Sequence, residues 1–341
     1  MYQADWINLT SERAVNEVKN WLTNEFQLGF GEPDATAVIR EKGQIIATGS
    51  REGNVFKYFG ISPAHQGKNL SGILMNALMD EAYARGIYHF FVFTSPDKSK
   101  QFSGSGFREI IKNDYAALLE SGDHSINGFM VDLKRRLGEA KGKRGAIVMN
   151  LNPMTLGHLF LIEKARREVD ELIIFLVEED LSVFPLKDRL AILQETVSGM
   201  TGVTAVPGGP YMVSKATFPT YFLKQADEDL LAYTTTDAGI FGKYYAKSLD
   251  ISTRFVGEEP LDPVTAAYNE ALAGELADYG VDLKIIPRKR AGEGPISASR
   301  VRRLLNEGKT EEAFALVPEA TVKFLQSDEG QIIISKIRME G

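Results

Sequence analysis

The sequence predicts an α/β protein of two domains, residues 1–142 and residues 143–341, the second built on a doubly wound parallel sheet. Three observations carry this. At 341 residues the chain is long enough to bury two cores. Residues 145–305 alternate short apolar runs with amphipathic helical stretches, the rhythm of right-handed parallel crossovers. A stretch rich in charge and glycine, residues 134–144, separates that rhythm from a first half with several turn-linked strands.

In the first half, residues 11–24 place Ala14, Val15, Val18, Trp21 and Leu22 at helical spacing, with Thr10 or Ser11 as the cap. Strands are expected over 35–40, 44–49 and 54–61, parted by the turns Glu41-Lys-Gly43 and Arg51-Glu-Gly53. A polar turn holding Gln66-Gly67-Lys68 then leads into a helix over 73–85 and a strand over 88–94. Residues 95–106 read as loop and short helix, residues 107–130 as a return to sheet, and residues 134–144 as the linker.

The second half opens on the apolar run Gly145-Ala-Ile-Val-Met149, a short buried strand. A helix over 156–168 follows, with Leu159, Ile162, Ala165 and Val169 on one face, and then a second strand over 171–177. Further strands are expected at 203–206, 253–256 and 283–286. Ligands of such sheets sit beyond the carboxyl ends of the strands. Asn150-Leu-Asn-Pro-Met-Thr155-Leu-Gly157-His158 falls at one of those ends.

Composition excludes several classes. Net charge is −7, and residues 1–142 hold 16 Lys/Arg against 17 Asp/Glu, so neither half has the basic excess of a nucleic-acid binder. One local basic cluster, Arg288, Lys289, Arg290, Arg300, Arg302 and Arg303, suits an anion pocket instead. Nowhere do 18 apolar residues run together, and Asp5, Glu12 and Arg13 break any signal-like stretch. A cytoplasmic enzyme without membrane contact is expected. Cysteine is absent, so a reaction that uses a thiol must borrow it from a partner. With only His65, His89, His124 and His158, a multi-histidine metal centre is not expected.

Chemistry concentrates in two helix starts. Gly157 permits close backbone approach, Thr155 offers a hydroxyl and His158 a ring N–H, all on the opening turn after a buried strand. Far downstream, Ile296-Ser297-Ala-Ser299-Arg-Val-Arg302 places hydroxyls on another first turn and an arginine one turn in. Two such N-termini on one sheet make a cradle for a polyphosphate. In Phe184-Pro-Leu-Lys187-Asp188-Arg189, Lys187 or Arg189 could reach phosphate and Asp188 could cap a helix. The aromatic stretch at 211–224 suits a substrate wall or a core equally well.

The first start resembles the (H/T)-x-G-H motif of the nucleotidyltransferase superfamily, and the second its I-S-x-[ST]-x-x-R motif. The resemblance implies a Rossmann-like domain that attacks an α-phosphate with pyrophosphate leaving. Thr155 and His158 would be catalytic. Asn150, Asn152, Gly157, Gly257, Ser297, Ser299 and Arg302 would bind the nucleotide, which is ATP carrying Mg²⁺, with no metal held by the protein itself. Gly257 lies in Phe255-Val-Gly257-Glu-Glu-Pro260, which is similar to the superfamily's turn beside adenine and ribose, with Glu258 and Glu259 replacing the commoner residues.

The first half resembles the GCN5-related N-acetyltransferase fold through Gln66-Gly67-Lys68 and Phe102-Ser-Gly-Ser-Gly106-Phe107. That implies Gln66, Gly67 and Lys68 as contacts for a thiol-bearing, coenzyme-A-like group. Asn69 and Ser71 stand where that family has glycine.

The two halves together resemble the citrate lyase ligase family, over essentially the whole chain. The resemblance is strongest at 150–158, 180–185, 214–219, 254–260, 263–269 and 295–302. Met154 departs from its usual phenylalanine, and 235–248 match poorly. The family implies an acid–thiol ligase that turns acetate and ATP into acetyl-adenylate and acetylates the prosthetic-group thiol of the citrate lyase acyl carrier subunit. The competing reading is an adenylyltransferase acting on a small phosphorylated substrate, with the first half a non-catalytic binding module.

Overall fold

The computed structural model describes residues 2–178, 182–212, 218, 226–258, 263–291 and 294–340. It forms two units: the described residues of 1–128 and 219–236, and those of 129–218 and 237–341. Both are α/β, as the sequence predicts.

The first unit is a seven-stranded mixed sheet. Its strands are β1 (Asp5–Trp6), β2 (Ala35–Glu41), β3 (Gln44–Glu52), β4 (Val55–Ile61), β5 (His89–Thr94), β6 (Arg108–Lys112) and β7 (Ala117–Gly122), in the order β1-β2-β3-β4-β5-β7-β6. Every pairing is antiparallel except β4 with β5, which is registered only at Val55–Phe91 and Phe56–Val92. The helix Leu70–Tyr83 buries Leu70, Leu74, Met75, Leu78 and Ala82. The stacked Phe56 and Phe90 rings, 4.9 Å apart, belong to the same core. The first helix, Glu12–Phe26, is capped by Ser11, whose hydroxyl accepts the Ala14 N–H.

One expected strand is a helix. Residues 107–130 do return as sheet, but only to Gly122; Ile126–Leu137 is helical and takes up the start of the expected linker. Two causes act together. The Glu120 carboxylate, on β7, accepts the Ile126 N–H at 3.1 and 3.2 Å, satisfying a first-turn donor from the preceding strand. Ile126, Met130 and Leu133, spaced by four and three, are each 2% exposed.

The second unit is a five-stranded sheet: β8 (Arg144–Met149), β9 (Glu171–Leu176), β10 (Val203–Pro207), β11 (Ile251–Gly257) and β12 (Asp282–Ile286), ordered β10-β9-β8-β11-β12. Every pairing is parallel. From β8 the chain steps one way through β9 and β10, then returns to add β11 and β12 on the other side. The strand order reverses between β8 and β11, and the crevice beyond their carboxyl ends is where doubly wound sheets bind ligands. Ile147, Ile162, Ile174, Leu193 and Phe255 form the core under that crevice. A neighbouring cluster of Val301, Leu304, Leu305, Leu316 and Ile333 seats the helix Ala298–Asn306. Each such side chain contributes about 1.5–3 kcal/mol on burial.

Candidate active site

The turn after β8 carries the first motif to the crevice. Asn150 and Leu151 leave the strand, Leu151 with a positive φ of 57°, and the Asn152–Pro153 bond is cis. Thr155 caps the helix Leu156–Ala165. Its hydroxyl oxygen accepts the His158 N–H at 3.4 Å, and its own N–H donates to His158 Nδ1 at 3.0 Å. This reciprocal cap satisfies two first-turn donors at once.

It also sets the imidazole tautomer. Because Nδ1 accepts, the proton of the neutral ring sits on Nε2, which has no partner among the described residues. Surrounding protein, first, and the Arg288 charge, second, lower the His158 pKa from 6.5 to about 4. The ring keeps part of its surface accessible. Both causes oppose a second proton, so at neutral pH His158 is an uncharged donor.

The second motif comes to the same place. Ser297 caps Ala298–Asn306, accepting the Arg300 N–H at 3.2 Å. A Cβ on Gly157 would lie 2.7 Å from the Ile296 carbonyl oxygen, so the two helix starts meet where only glycine fits. Arg302 bridges them: its guanidinium donates to the Asn152 carbonyl and, at 3.4 Å, to the Ser299 hydroxyl. Burial lowers the Arg302 pKa. Beside it, a cleft of about 480 Å³ is lined by Gly294, Pro295, Ser297, Ser299, Arg300 and Arg303.

Gly257 ends β11, next to β8. Among the described residues a Cβ there would meet only Leu161, at 3.9 Å, which leaves room beside this backbone. The following Glu258 carbonyl accepts Arg288 Nε at 2.6 Å, which ties one cation of the basic cluster to the crevice. Glu259 lies outside the described residues, as do 180–181, 213–217 and 219–225 of the stretches singled out above.

Other expected residues take different posts. The Oδ1 atoms of Asn150 and Asn152 face inward, accepting Ser182 Oγ at 3.1 Å and the Phe184 N–H at 3.2 Å. Arg189 cannot reach phosphate: it is 1% exposed and donates to backbone carbonyls. Its helix, Leu186–Val197, starts after Pro185 without a side-chain cap, and Asp188 sits within the first turn. Tyr211 and Phe218, of the aromatic stretch, are buried in the core. One signal did mark Arg189: it shares a buried helical stripe with Ile192 and Leu193.

In the first unit, Lys68 Nζ lies 3.3 Å from the Tyr2 hydroxyl and over its ring, and that hydroxyl donates to Glu41 at 2.6 Å. Glu41 also pairs with His65 Nε2 at 3.2 Å. A Cβ on Gly72 would meet Asn69 Oδ1 at 2.6 Å, so the Asn69 side chain lies over the first turn of Leu70–Tyr83. Gln66 and Gly67 are exposed, Gly67 with φ +79°.

Comparison with known proteins gives the family. Residues 144–325 match the family model of the citrate lyase ligase C-terminal domain. The [citrate [pro-3S]-lyase] ligase of Klebsiella pneumoniae is 35% identical over 325 residues, covering 94% of this chain and 95% of that protein. That of Escherichia coli K12 is 36% identical over 290 residues, 83% of this chain and 82% of that one. A tRNA(Met) cytidine acetate ligase of Leuconostoc mesenteroides is 37% identical over 92 residues, 24% of this chain and 23% of that one. With near-full-length identity to such enzymes and a matching family domain around the crevice, the chain belongs to the [citrate (pro-3S)-lyase] ligase family.

Proposed function

We infer that this ligase is ATP-dependent and AMP-forming: it activates acetate as acetyl-adenylate and acetylates the prosthetic-group thiol on the acyl carrier subunit of citrate lyase, in the cytoplasm. The observation that carries the reading is the meeting of two helix N-termini at the reversal point of a parallel sheet, with Gly157 against the Ile296 carbonyl and Arg302 joining the two motifs. Acetate as the acid is supported by the family and by the acetate ligase named among the relatives.

In the first step an acetate oxygen attacks the α-phosphorus of ATP, and the bond to the bridging oxygen breaks as pyrophosphate leaves with the electron pair. In the second the thiol sulfur attacks the acetyl carbonyl carbon. The bond from that carbon to the AMP oxygen breaks, AMP leaves, and the thiol proton passes to solvent. No protein nucleophile is needed, because positioning and charge stabilisation do the catalysis. Neutral His158 would donate its Nε2–H to an α-phosphate oxygen as charge grows there. Arg302, Ser299 and the amides of both helix starts would hold the β- and γ-phosphates, and Arg288 would add positive potential.

Among the described residues no three His, Asp or Glu stand together as a metal cage. Mg²⁺ would be carried by the triphosphate itself, its usual partner. The chain has no cysteine, which fits a thiol supplied by the carrier. The adenylyltransferase reading is not favoured, since relatives bearing the ligase name align with both halves.

The test is direct. Purified protein with ATP, Mg²⁺, acetate and deacetylated citrate lyase should release one AMP per acetyl group transferred and restore lyase activity. Release of a stable adenylylated small molecule, with no lyase regained, would point to the other reading.

A further inference from the structure

Arg189 is among the largest fully buried side chains, 1% exposed on the helix Leu186–Val197. Its Nε donates to the Phe184 carbonyl at 2.9 Å. Its Nη1 donates to the Asn150 carbonyl at 2.7 Å, to Asn150 Oδ1 at 2.8 Å and to the Val177 carbonyl at 2.8 Å. These acceptors lie on three separate stretches: the residue that opens the phosphate-binding turn, the exit of β9, and the loop before the helix.

A guanidinium can serve all three because its donors leave a rigid plane in fixed directions, which a compact ammonium cannot reproduce. A buried cation also needs its hydrogen bonds met, so the seating of Arg189 and the place of Asn150 are coupled. Five residues after Asn150 comes Thr155, the cap that orients His158.

We propose that Arg189 is a positioning residue for the phosphate-binding turn, holding Asn150 against the end of β9 and so aiming the helix start at 155–158. It touches no reacting atom and acts through the turn. Its kinetic readout rests on the ligase reading above; its structural readout does not.

The decisive variant is Arg189→Lys in the full chain, which keeps the charge and loses the fork. Acetate-dependent pyrophosphate release should fall about 100-fold in kcat, the scale on which a misplacement of an ångström acts, while KM for ATP moves less than about threefold. Hydrogen exchange of the amides at 150–158 should quicken at least about tenfold, with β9 and β10 amides unchanged. A side chain that only stabilised the fold would lower the melting temperature and leave kcat per folded molecule and exchange at the turn as they were. That result overturns the proposal.

Should Arg189→Lys not fold, Asn150→Ala serves, because it removes one acceptor and leaves the cation its three carbonyls. A fall in kcat of roughly fivefold or more with KM for ATP held supports the clamp. A rise in KM alone, or no change, sinks it. If the wild-type protein releases no pyrophosphate, the ligase reading fails, and the exchange comparison still decides the clamp.

Discussion

The chain contains two turns of the same design, and the structure uses them in opposite ways. Each follows a strand, holds a glycine and a basic or ring nitrogen, and opens a helix: Gln66-Gly67-Lys68 before Leu70–Tyr83, and the 150–158 turn before Leu156–Ala165. In the first, the side chains bind one another or cover the turn, although the Asn69 side chain makes no cap hydrogen bond. Lys68 is held by Tyr2, His65 by Glu41, and the Asn69 side chain lies over the first turn. In the second, the internal bonds satisfy only the inner atoms. Thr155 fixes His158 through Nδ1 and thereby leaves Nε2–H facing outward, while a second helix start and Arg302 converge beside it. A helix start becomes an anion site only when its neighbours orient the donors without consuming them.

The sharpest way to break this contrast is to remove the oriented donor. His158→Ala should lower acetate-dependent pyrophosphate release by about 10²–10³, the usual effect of losing one preorganised donor. Circular dichroism should show an intact fold. A loss under tenfold would mean that Nε2–H does not meet the transferring phosphate. Next in size is Gly157→Ala. Its methyl would collide with the Ile296 carbonyl and push the two starts apart, for a rate loss of about 10² and a destabilisation of about 1–3 kcal/mol. A crystal structure of that variant should show the helix Ala298–Asn306 displaced.

A smaller effect concerns pH. The folded pKa of His158, about 4, lies below its ordinary 6.5. Between these values the unfolded chain binds a proton that the folded chain refuses. This contribution to stability is therefore full above about pH 6.5 and is lost as pH falls toward 4. Thermal melts should show that slope, and His158→Gln should flatten it. Turnover, by the same logic, should show no titration of His158 near 6.5, and a limb there would contradict the neutral-donor reading.

How much of this was legible beforehand follows from how local each signal is. The 150–158 turn and the 296–302 start could be read because strand, cap and helix are contiguous in the sequence, and the structure joins them at the reversal of strand order. The helix Ile126–Leu137 was hidden less by distance than by its setting: the Ile126 N–H goes to Glu120, six residues back on β7, beside a local cap in which Ser125 accepts the Gly128 N–H. Arg189 shows the limit that distance sets. In 184–189 it reads as a candidate phosphate contact until the Asn150 and Val177 carbonyls, 39 and 12 residues back, close on it together with that of Phe184. The role of Gly157 lay between these cases. The glycine was evident, but the atom that demands it belongs to Ile296, 139 residues on by the numbering.

The smallest predicted effects fall on the first turn. If the Asn69 side chain covers the turn as described, titration calorimetry with acetyl-CoA at millimolar concentration should give no binding heat, since Asn69 stands where a pyrophosphate would approach the amides. Lys68→Ala should then change ligase turnover by less than about twofold, as expected for an exposed cation whose partner is a tyrosine hydroxyl. Asn69→Gly is the complementary probe, because it uncovers the turn. Micromolar acetyl-CoA binding by the wild-type protein would erase the contrast between the turns. Binding gained only in Asn69→Gly would show that one side chain, lying over Gly72, is what closes a site the backbone still contains.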